Sequence, residues 1–477
     1  WFRKTENLPS YKLDYVGSHF IGDYINKLEI EEETTKIFSK NLTGLAVNNF
    51  IHFELHNHSI DHYKNNIKCK VVEVNKTNGW FKIQGIENPQ ANKVKWGLAK
   101  DDVSPKEIFK LTNEGPNERA IIAKYCIQDC NLVHHLYNKV DVITDLVEMA
   151  TLCSVPLSYL IMRGQGIKLT SFVAKKCREK DTLMPVIEKG NKDDGYEGAI
   201  VLDPKCNLYL DTPVAVGDFA SLYPSSMLSE NLCPSSKVYA KTYDLNNNLL
   251  QIEGNIEYDN LPDYDYVDIT FDTFKYIRKT EKGREEKIKK GYKVCRFAQY
   301  RDGKAIMPSI LEELLGARKA TRKLIPQQTD EFMKNVLDKR QLAYKVTANS
   351  LYGQLGAKTS TFYEPDIAAS TTATGRLLLT FAKKIVEDCY KNKEIEVNGE
   401  KVISNAEYIY GDTDSVFFNF NLKDSVSNLP IVGKKALEMS IIIAQEACSL
   451  VSSFLKGPHD FEYEKTFMPF CLLSKKR

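Results

Sequence analysis

The fold of this chain is organised around the stretch Tyr408-Ile409-Tyr410-Gly411-Asp412-Thr413-Asp414-Ser415-Val416-Phe417-Phe418. Two arms rich in aromatic and β-branched residues flank a Gly-Asp-Thr-Asp centre, a pattern that predicts a β-hairpin with both carboxylates at its tip. Like charges this close repel each other unless a cation binds between them or water screens them. An acidic tip on its own is most often a solvated turn, so its role depends on the residues that converge on it.

Composition excludes several classes of protein. The 477 residues suffice for about three domains. The eleven cysteines include no CxxC pair, which favours reduced thiols in an intracellular protein over a disulfide scaffold. No apolar run is long enough for a membrane span, so we expect no membrane partner. The net charge of +2 neither requires nor excludes a nucleic-acid partner, because phosphate binding depends on local clusters of charge.

The region up to about residue 145 mixes strand-like and helical segments. Its histidines, His52, His56, His58 and His62, are close enough in sequence to suggest metal ligands. Polar and apolar residues alternate around them, however, which favours a half-exposed strand over a metal site.

A helical pattern over residues 119–133 places Tyr125 and Asp129 four residues apart, on one face. On spacing alone, a hydrogen-bonded surface pair is favoured over a catalytic pair.

A further acidic residue ends an apolar strand in the middle of the chain. The strand 214–218 ends at Asp218 and is followed by a tight turn and by Pro224, which is typical of the first position of a helix. Upstream, residues 195–199 predict a flexible connector that leads into a strand at 200–202. Downstream, residues 243–300 predict two strand-like arms around Lys282-Gly283-Arg284, and a solvated hairpin insertion is favoured there over a DNA-contacting ribbon.

Two helices broken near Pro326 are predicted over residues 310–353, and they carry the densest cationic cluster. Its members are Arg318, Lys319, Arg322, Lys323, Lys334, Lys339, Arg340 and Lys345. Charge alone favours a solvated face. Lys345, Asn349 and Tyr352 nevertheless fall at i, i+4 and i+7, so three unlike polar groups share one stripe. Further helices are expected at 371–388 and 432–455.

Together these pieces could form a two-metal site. Mg²⁺ prefers hard oxygen ligands and often takes only one or two carboxylates beside substrate phosphates. Two such ions about 4 Å apart can activate an attacking oxygen and stabilise a leaving one. The cationic helices could clamp a phosphate substrate, and the backbone N–H groups of Ser221 and Leu222 could bind further phosphate oxygens. Each piece alone is a weak signal, whereas their occurrence together in one order is a stronger one.

The same residues resemble motifs of family B DNA polymerases, and among them the delta-like enzymes of large DNA viruses of eukaryotes. Residues 218–225 (DFASLYPS) resemble the first palm motif of the family, residues 345–353 (KVTANSLYG) its fingers motif, and residues 410–415 (YGDTDS) its second palm motif. The resemblance implies an α/β (α+β) fold: a right-hand polymerase palm and fingers after the C-terminal part of a ribonuclease H-like 3′–5′ exonuclease domain. The implied domains are exonuclease at 1–150, first palm segment with a hairpin insertion at 151–305, fingers at 306–358 and second palm segment at 359–477.

The resemblance also implies roles for individual residues. Asp218 and Asp414 would bind two Mg²⁺ ions together with the Phe219 carbonyl, and Asp412 would support them. Tyr223 would lie under the incoming sugar and select deoxynucleotides. Arg318, Lys345 and Arg322 would bind the triphosphate, and Asn349 and Tyr352 would line the pocket of the nascent base pair. Tyr196 and Gly198 would belong to a connector that senses the template. Lys475-Lys476-Arg477 would begin the motif that grips the primer.

Tyr125 and Asp129 resemble the third proofreading motif of the family, whereas the first and second proofreading motifs are missing from this chain. Because the chain begins at Trp1, ends at Arg477 and lacks the thumb, we expect it to be a fragment. The implied partners are primer-template DNA, deoxynucleoside triphosphates and, through regions outside the chain, a sliding clamp. The expected location is the host nucleus or a cytoplasmic viral factory. A polymerase-like scaffold that binds DNA without catalysis is the alternative, and a nuclease acting through Asp129 is less favoured.

Overall fold

The computed structural model describes residues 2–57, 59–99, 103–184, 196–278 and 285–475, with the side chains of 4, 5, 276–278 and 285 left out. His58, Gly195, the Lys282-Gly283-Arg284 turn, Lys476 and Arg477 lie outside the described residues. The chain forms two compact units, Trp1–Thr144 and Asp145–Arg477. Among the described residues, no helix is both long and apolar enough to span a lipid bilayer.

The first unit is a small antiparallel sheet accompanied by helices. Strand β7 pairs with both β1 and β3, so the sheet closes on itself around Phe53, Phe81 and Trp96, which are fully buried. Its elements are α1 (Phe2–Thr5), α2 (Leu13–Phe20), β1 (Gly22–Ile30), β2 (Thr34–Ser39), β3 (Phe50–His56), β4 (Ile60–His62), β5 (Cys69–Asn75), β6 (Trp80–Gln84), β7 (Lys93–Ala99), α3 (Pro105–Thr112) and α4 (Pro116–Lys139).

The expectation of a half-exposed strand around the histidines is wrong at His52. Ile51, His52 and Phe53 are buried one after another, because both faces of β3 are covered there: Ile51 and Phe53 belong to the apolar core, and α2 contributes Ser18, whose hydroxyl lies 3.0 Å from His52 Nε2. His56 Nε2 lies 3.3 Å from a carboxylate oxygen of Glu54.

The second unit combines helices and strands, so the mixed fold class is as predicted. Helix α5 (Val142–Cys153) begins just before the start of the second unit at Asp145. The other elements are α6 (Leu157–Met162), α7 (Gln165–Glu179), β8 (Asn207–Tyr209), β9 (Val214–Phe219), α8 (Leu222–Ser229), β10 (Lys237–Asp244), β11 (Leu249–Gly254), β12 (Tyr264–Arg278), β13 (Glu285–Tyr300), α9 (Ile306–Leu324), α10 (Glu331–Gly356), α11 (Pro365–Tyr390), β14 (Lys393–Val397), β15 (Glu400–Ser404), β16 (Glu407–Asp412), β17 (Ser415–Asn419), β18 (Lys423–Asp424), α12 (Gly433–Ser453), β19 (Phe461–Phe467) and β20 (Phe470–Leu472).

The sheet that carries the predicted hairpin has the order β16-β17-β9-β19. Its buried face, with Phe219, Val416 and Phe418, packs with apolar residues of α11 and α12 such as Leu379 and Ile443. Alternation along β17 explains this, because Val416 and Phe418 point to the same face of the sheet. The hairpin is therefore fixed in place by its apolar arms while its acidic tip stays at the edge of the core.

A second sheet, of order β11-β10-β13-β12, contains the long hairpin β12–β13. Its inner half is not a solvated insertion as expected, because Phe271, Cys295 and Phe297 are buried in the core shared with α9 and α10. The outer half differs, since residues 286–290 are all exposed.

Two local expectations are also corrected. Residues 200–202 form only a single bridge, from Val201 to Asp412, because the segment runs beside the hairpin for just a few residues. Helix α8 begins at Leu222, so Pro224 is its third residue and not its first. The break between α9 and α10 occurs as predicted, at a short 3₁₀ turn over Ile325–Gln327.

A buried ion network joins α11 to the second sheet. The Asp366 carboxylate, only 3% exposed, accepts hydrogen bonds from Lys237 Nζ at 2.8 Å and Lys293 Nζ at 3.1 Å. Glu364 binds Lys237 at 2.8 Å as well. These carboxylates outweigh the cost of burial and raise the pKa of Lys237 above its usual range.

Removal of the Asp366 charge should destabilise the protein strongly. We expect Asp366→Asn to lower the free energy of unfolding by about 3–5 kcal/mol, because two buried ammonium groups lose their shared partner. Urea denaturation followed by circular dichroism measures the change. Asp388→Asn, at an exposed position of the same helix, is the control and should change stability by less than about 0.5 kcal/mol. Equal effects of the two substitutions would contradict the role assigned to the network.

Candidate active site

Strand β9 and the hairpin β16–β17 bring Asp218 and Asp414 together. Ser415 is the register partner of Asp218, and the Phe219 N–H donates to the Asp414 carbonyl oxygen at 2.8 Å. Residues that are 196 positions apart in the sequence thus become neighbours across one strand pair. The predicted convergence of the two acidic segments is observed.

The hairpin tip has a constrained backbone. Thr413 has φ of 61°, a left-handed conformation that is uncommon for a β-branched residue. Its hydroxyl donates to Asp412 Oδ1 at 2.9 Å, and the Asp414 N–H donates to the Asp412 carbonyl at 2.7 Å. A side chain at Gly411 would begin 2.7 Å from Leu202 Cδ1, so the close approach of the 200–202 segment favours glycine there. The tip thereby holds the Asp412 carboxylate and the backbone of Asp414 in place.

The site has an excess of negative charge. Burial, and then the charges of Asp414, Glu464 and Glu462, raise the pKa of Asp218 to about 7, and Lys465 opposes this only in part. A divalent cation would remove the penalty, and carboxylate oxygens are the hard ligands that Mg²⁺ prefers. The donor set therefore fits a divalent ion. Within the described ranges, no group of three or more His, Cys, Asp or Glu side chains is arranged so that it could hold a metal ion, so the fit rests on the two carboxylates.

The turn after Asp218 leads directly into α8. Ser221 caps the helix in a left-handed conformation, with φ of 55°, and the Ala220 N–H donates to the Asp460 carbonyl at 2.9 Å. The first N–H groups of a helix have no partner inside it. Ser221 and Leu222 thus lie at a helix start beside the acids, as predicted.

Three predicted tyrosines form a row next to the acids. The rings of Tyr223 and Tyr352 have centroids 4.4 Å apart, and the Tyr352 and Tyr196 hydroxyls hydrogen bond to each other. Burial, and then the nearby Asp414 charge, raise the pKa of Tyr223 to about 12. Two glycines make room for the row: a side chain at Gly375 would begin 3.1 Å from the Tyr223 ring, and one at Gly356 would overlap the Tyr196 hydroxyl. We call residues 196, 352 and 223 the tyrosine row.

The connector before the first palm-like motif is held by α11. Arg376 Nη1 donates to the carbonyl oxygens of Glu197 and Gly198 at 2.7 and 2.8 Å, and the Thr372 hydroxyl donates to the former at 2.8 Å. Sequence reasoning did not identify Arg376. The sequence did contain a signal, since Arg376 is the one charged residue in the largely apolar stretch 367–382. A cation buried in such a stretch needs a partner inside the protein.

Strand β19 supplies further residues that sequence reasoning missed. Glu462 is the register partner of Asp218 on the side opposite β17, and Glu464 and Lys465 follow it. All three influence the Asp218 carboxylate electrostatically. The alternating Phe461-Glu462-Tyr463-Glu464 sequence suggests a strand, but nothing in it indicates which strand it pairs with.

The predicted cations lie on α9 and α10. Arg318 is half-buried and donates from Nε to Gln341 Oε1 at 3.2 Å, and its burial, with Arg322 nearby, lowers its pKa. Arg322, Lys345 and Asn349 are exposed. The common role of these side chains in nucleotide binding stays a prediction.

The remaining predicted residues lie elsewhere. Tyr125 and Asp129 share one face of α4 in the first unit, and each is half-buried and takes part in an interaction. Lys475 Nζ forms an ion pair with Asp203 at 3.0 Å.

Comparison with known proteins identifies the family. The profile described as DNA polymerase family B matches residues 155–477. The DNA polymerase of Phaeocystis pouchetii virus is 52% identical over 480 residues, which is 98% of this chain and 46% of that protein. That of Pyramimonas orientalis virus is 40% identical, over 100% of this chain and 39% of the relative. The DNA polymerase delta catalytic subunit of Drosophila melanogaster is 37% identical, over 79% of this chain and 30% of that protein.

The chain thus spans less than half the length of these relatives. Viral polymerases and delta catalytic subunits both appear among them, which confirms the predicted resemblance. The chain belongs to DNA polymerase family B.

Proposed function

We propose that this chain carries the nucleotidyl-transfer site of a template-directed DNA polymerase that replicates a viral genome. The primer 3′ oxygen attacks the α-phosphate of a deoxynucleoside triphosphate, and pyrophosphate leaves. The main support is the apposition of Asp218, on β9, and Asp414, in the hairpin turn just before β17, where burial and the Asp414 charge raise the pKa of Asp218 to about 7. Polymerases of this family use divalent metal ions, and this pair of carboxylates has the chemistry to bind them.

In this proposal Asp218, Asp414 and the Phe219 carbonyl hold two Mg²⁺ ions, and Asp412 orients the tip. When bound, the ions would favour ionisation of the primer hydroxyl and neutralise charge on the triphosphate. The protein's own contribution is to position the acids rigidly: the strand pair fixes their backbones, and Thr413 orients the Asp412 carboxylate.

The substrate contacts follow the family resemblance. Arg318, Arg322 and Lys345 bind the triphosphate, with N–H groups of Ser221 and Leu222 on its oxygens. Tyr223 lies under the sugar. The other assigned contacts are Asn349 and Tyr352 at the nascent base pair, Tyr196 and Gly198 at the template, and Lys475, Lys476 and Arg477 at the primer.

The domain assignments are part of the proposal. Residues 1–150 would be the C-terminal part of an exonuclease domain, 151–305 and 359–477 the palm, and 306–358 the fingers. Tyr125 and Asp129 would belong to a proofreading site. Primer-template DNA and deoxynucleoside triphosphates are the proposed partners, with a sliding clamp for the full-length protein. The proposed location is the host nucleus or a viral factory.

Loss of the fingers cations should weaken nucleotide binding. We expect Arg318→Ala and Lys345→Ala each to raise the KM for deoxynucleoside triphosphates by roughly 10- to 100-fold, since a charge-assisted hydrogen bond contributes about 1.5–3 kcal/mol. Steady-state primer extension at varied nucleotide concentration measures this. The affinity for primer-template DNA should stay unchanged.

Lys319→Ala is the matched control, because Lys319 is exposed and follows Arg318 on a different side of α9. An equal rise of KM in the Lys319 variant would show that general charge, and not a specific phosphate contact, governs binding.

A further inference from the structure

The outer half of the β12–β13 hairpin concentrates positive charge. Between residues 275 and 290 the sequence contains eight lysines and arginines and three glutamates, a net charge of +5, whereas the whole chain carries +2. Four of these cations have described, exposed side chains: Lys275, Lys287, Lys289 and Lys290. We call the described part of this outer half, residues 275–278 and 285–290, the basic ribbon.

The described side chains of the basic ribbon form no core of their own. Residues 286–290 are all exposed, including Ile288, which is 46% exposed, while Phe271 and Cys295 nearer the base of the hairpin are buried. The paired strand from Lys275 to Arg278 extends about 14 Å beyond Phe274, at about 3.4 Å per residue. Among the side chains described in this part of the hairpin, those of residue 275 and of residues 286–290 are all exposed, so they do not hold the paired strands by packing.

Lysines lie on both faces of the ribbon and at a bulge. Lys289 is paired with Phe274, Lys275 is paired with Ile288 on the opposite face, and Lys290 is the extra residue at a bulge. Ion pairs of the ribbon include those of Lys289, whose ammonium group lies 2.8 Å from Asp272, and of Lys287, which lies 2.9 Å from Glu197. Exposed pairs of this kind contribute little stability, so a stronger anion can replace Asp272 as a partner at small cost.

The base of the ribbon lies at the candidate active site. Thr273 forms a β-bridge with Tyr196, and Lys287 pairs with Glu197, the next residue of the connector. Tyr196 is the first member of the tyrosine row, which ends at Tyr223 beside the acids. The ribbon therefore starts beside the connector and the tyrosine row of the proposed site.

We infer that the basic ribbon binds the phosphate backbone of the DNA held at the active site, through Lys275, Lys289 and Lys290. This inference rests on the proposed function. The occupant is DNA because cations dominate the exposed side chains described on the ribbon, with Ile288 among them, and a nucleic-acid backbone offers closely spaced phosphates to such cations. Such contacts increase affinity without reading sequence.

The test compares a triple variant, Lys275→Ala, Lys289→Ala and Lys290→Ala, with the parent in the full-length protein. Lys287 is left unchanged because it pairs with the connector. The equilibrium affinity for primer-template DNA is measured by fluorescence anisotropy over a range of salt concentrations. We expect affinity to fall roughly 10-fold or more at low salt and the log–log salt slope to become shallower by about 0.9 for each phosphate that the variant no longer neutralises.

A second triple variant is the control: Lys393→Ala, Lys401→Ala and Lys434→Ala, three exposed lysines on β14, β15 and α12. It should retain the affinity and salt slope of the parent. Two series of DNA substrates, one with longer template overhangs and one with longer duplexes, locate the contact. In one of the two series, added length should strengthen DNA binding by the parent but not by the ribbon variant. That series shows whether the ribbon contacts the template overhang or the duplex, and either result supports the inference.

An unchanged affinity and salt slope in the ribbon variant would overturn the inference, and so would an equal decrease in the control variant. Primer extension at saturating DNA separates this outcome from failure of the proposed function. The ribbon variant should extend primers at the parental rate, whereas a parent protein without any extension activity would contradict the proposed function itself.

Discussion

Asp218→Asn and Asp414→Asn will each lower the rate of primer extension by roughly 10²–10³-fold or more, the effect expected when one preorganised charged group at a reacting centre is removed. Asparagine keeps the size of the side chain and removes its charge. The strand pairing that joins the two positions uses backbone atoms, so the fold should persist. Single-turnover extension of a labelled primer with Mg²⁺ measures the rate.

The matched control is Asp302→Asn, which changes an exposed aspartate in the turn before α9. It should extend primers at the parental rate. If Asp218→Asn and Asp414→Asn also extended at the parental rate, the assignment of the metal ligands would be wrong. A parent protein without any extension activity, in contrast, would favour the non-catalytic, DNA-binding scaffold.

The second large effect concerns the choice of sugar. Tyr223→Ala should improve the use of ribonucleotides relative to deoxynucleotides by roughly 10- to 200-fold, the range over which a pocket discriminates by size. The physical reason is rigidity: the Tyr223 ring contacts Tyr352 and is bounded by Gly375, so it cannot move aside for an extra hydroxyl group. The ratio of kcat/KM for the two nucleotides measures discrimination.

Tyr223→Phe distinguishes the ring from its hydroxyl. Because phenylalanine keeps the ring in the same place, we expect this variant to discriminate like the parent. Unchanged discrimination in Tyr223→Ala would remove Tyr223 from its proposed role. A loss of discrimination in Tyr223→Phe would assign the role to the hydroxyl instead.

The elements nearest the site were predictable because their signals are local. Alternating apolar arms around Asp412 and Asp414 define a hairpin, and an apolar run ending at Asp218 defines a strand. The break near Pro326 was equally visible, because proline cannot continue a helix. The tyrosine row was predicted as separate residues by the family resemblance, and the structure brings those residues together.

The features that sequence did not predict depend on long-range pairing. The place of β19 beside Asp218, and with it the charges of Glu462 and Glu464, follows from strand order, which periodicity does not contain. The clamp of Arg376 on the connector joins residues 178 and 179 positions apart. The burial of the inner half of the β12–β13 hairpin was missed because its charged outer half dominates the composition of that region.

The central claim is that Asp218 and Asp414 together bind the metal ions of nucleotidyl transfer. Anomalous diffraction from crystals of the full-length protein with primer-template DNA, a non-hydrolysable deoxynucleotide and Mn²⁺ tests it most directly. We predict two anomalous peaks, both within coordinating distance of the Asp218 and Asp414 carboxylates. Anomalous peaks beyond coordinating distance of these two carboxylates would contradict the claim. The absence of any anomalous peak beside a bound nucleotide would contradict it as well.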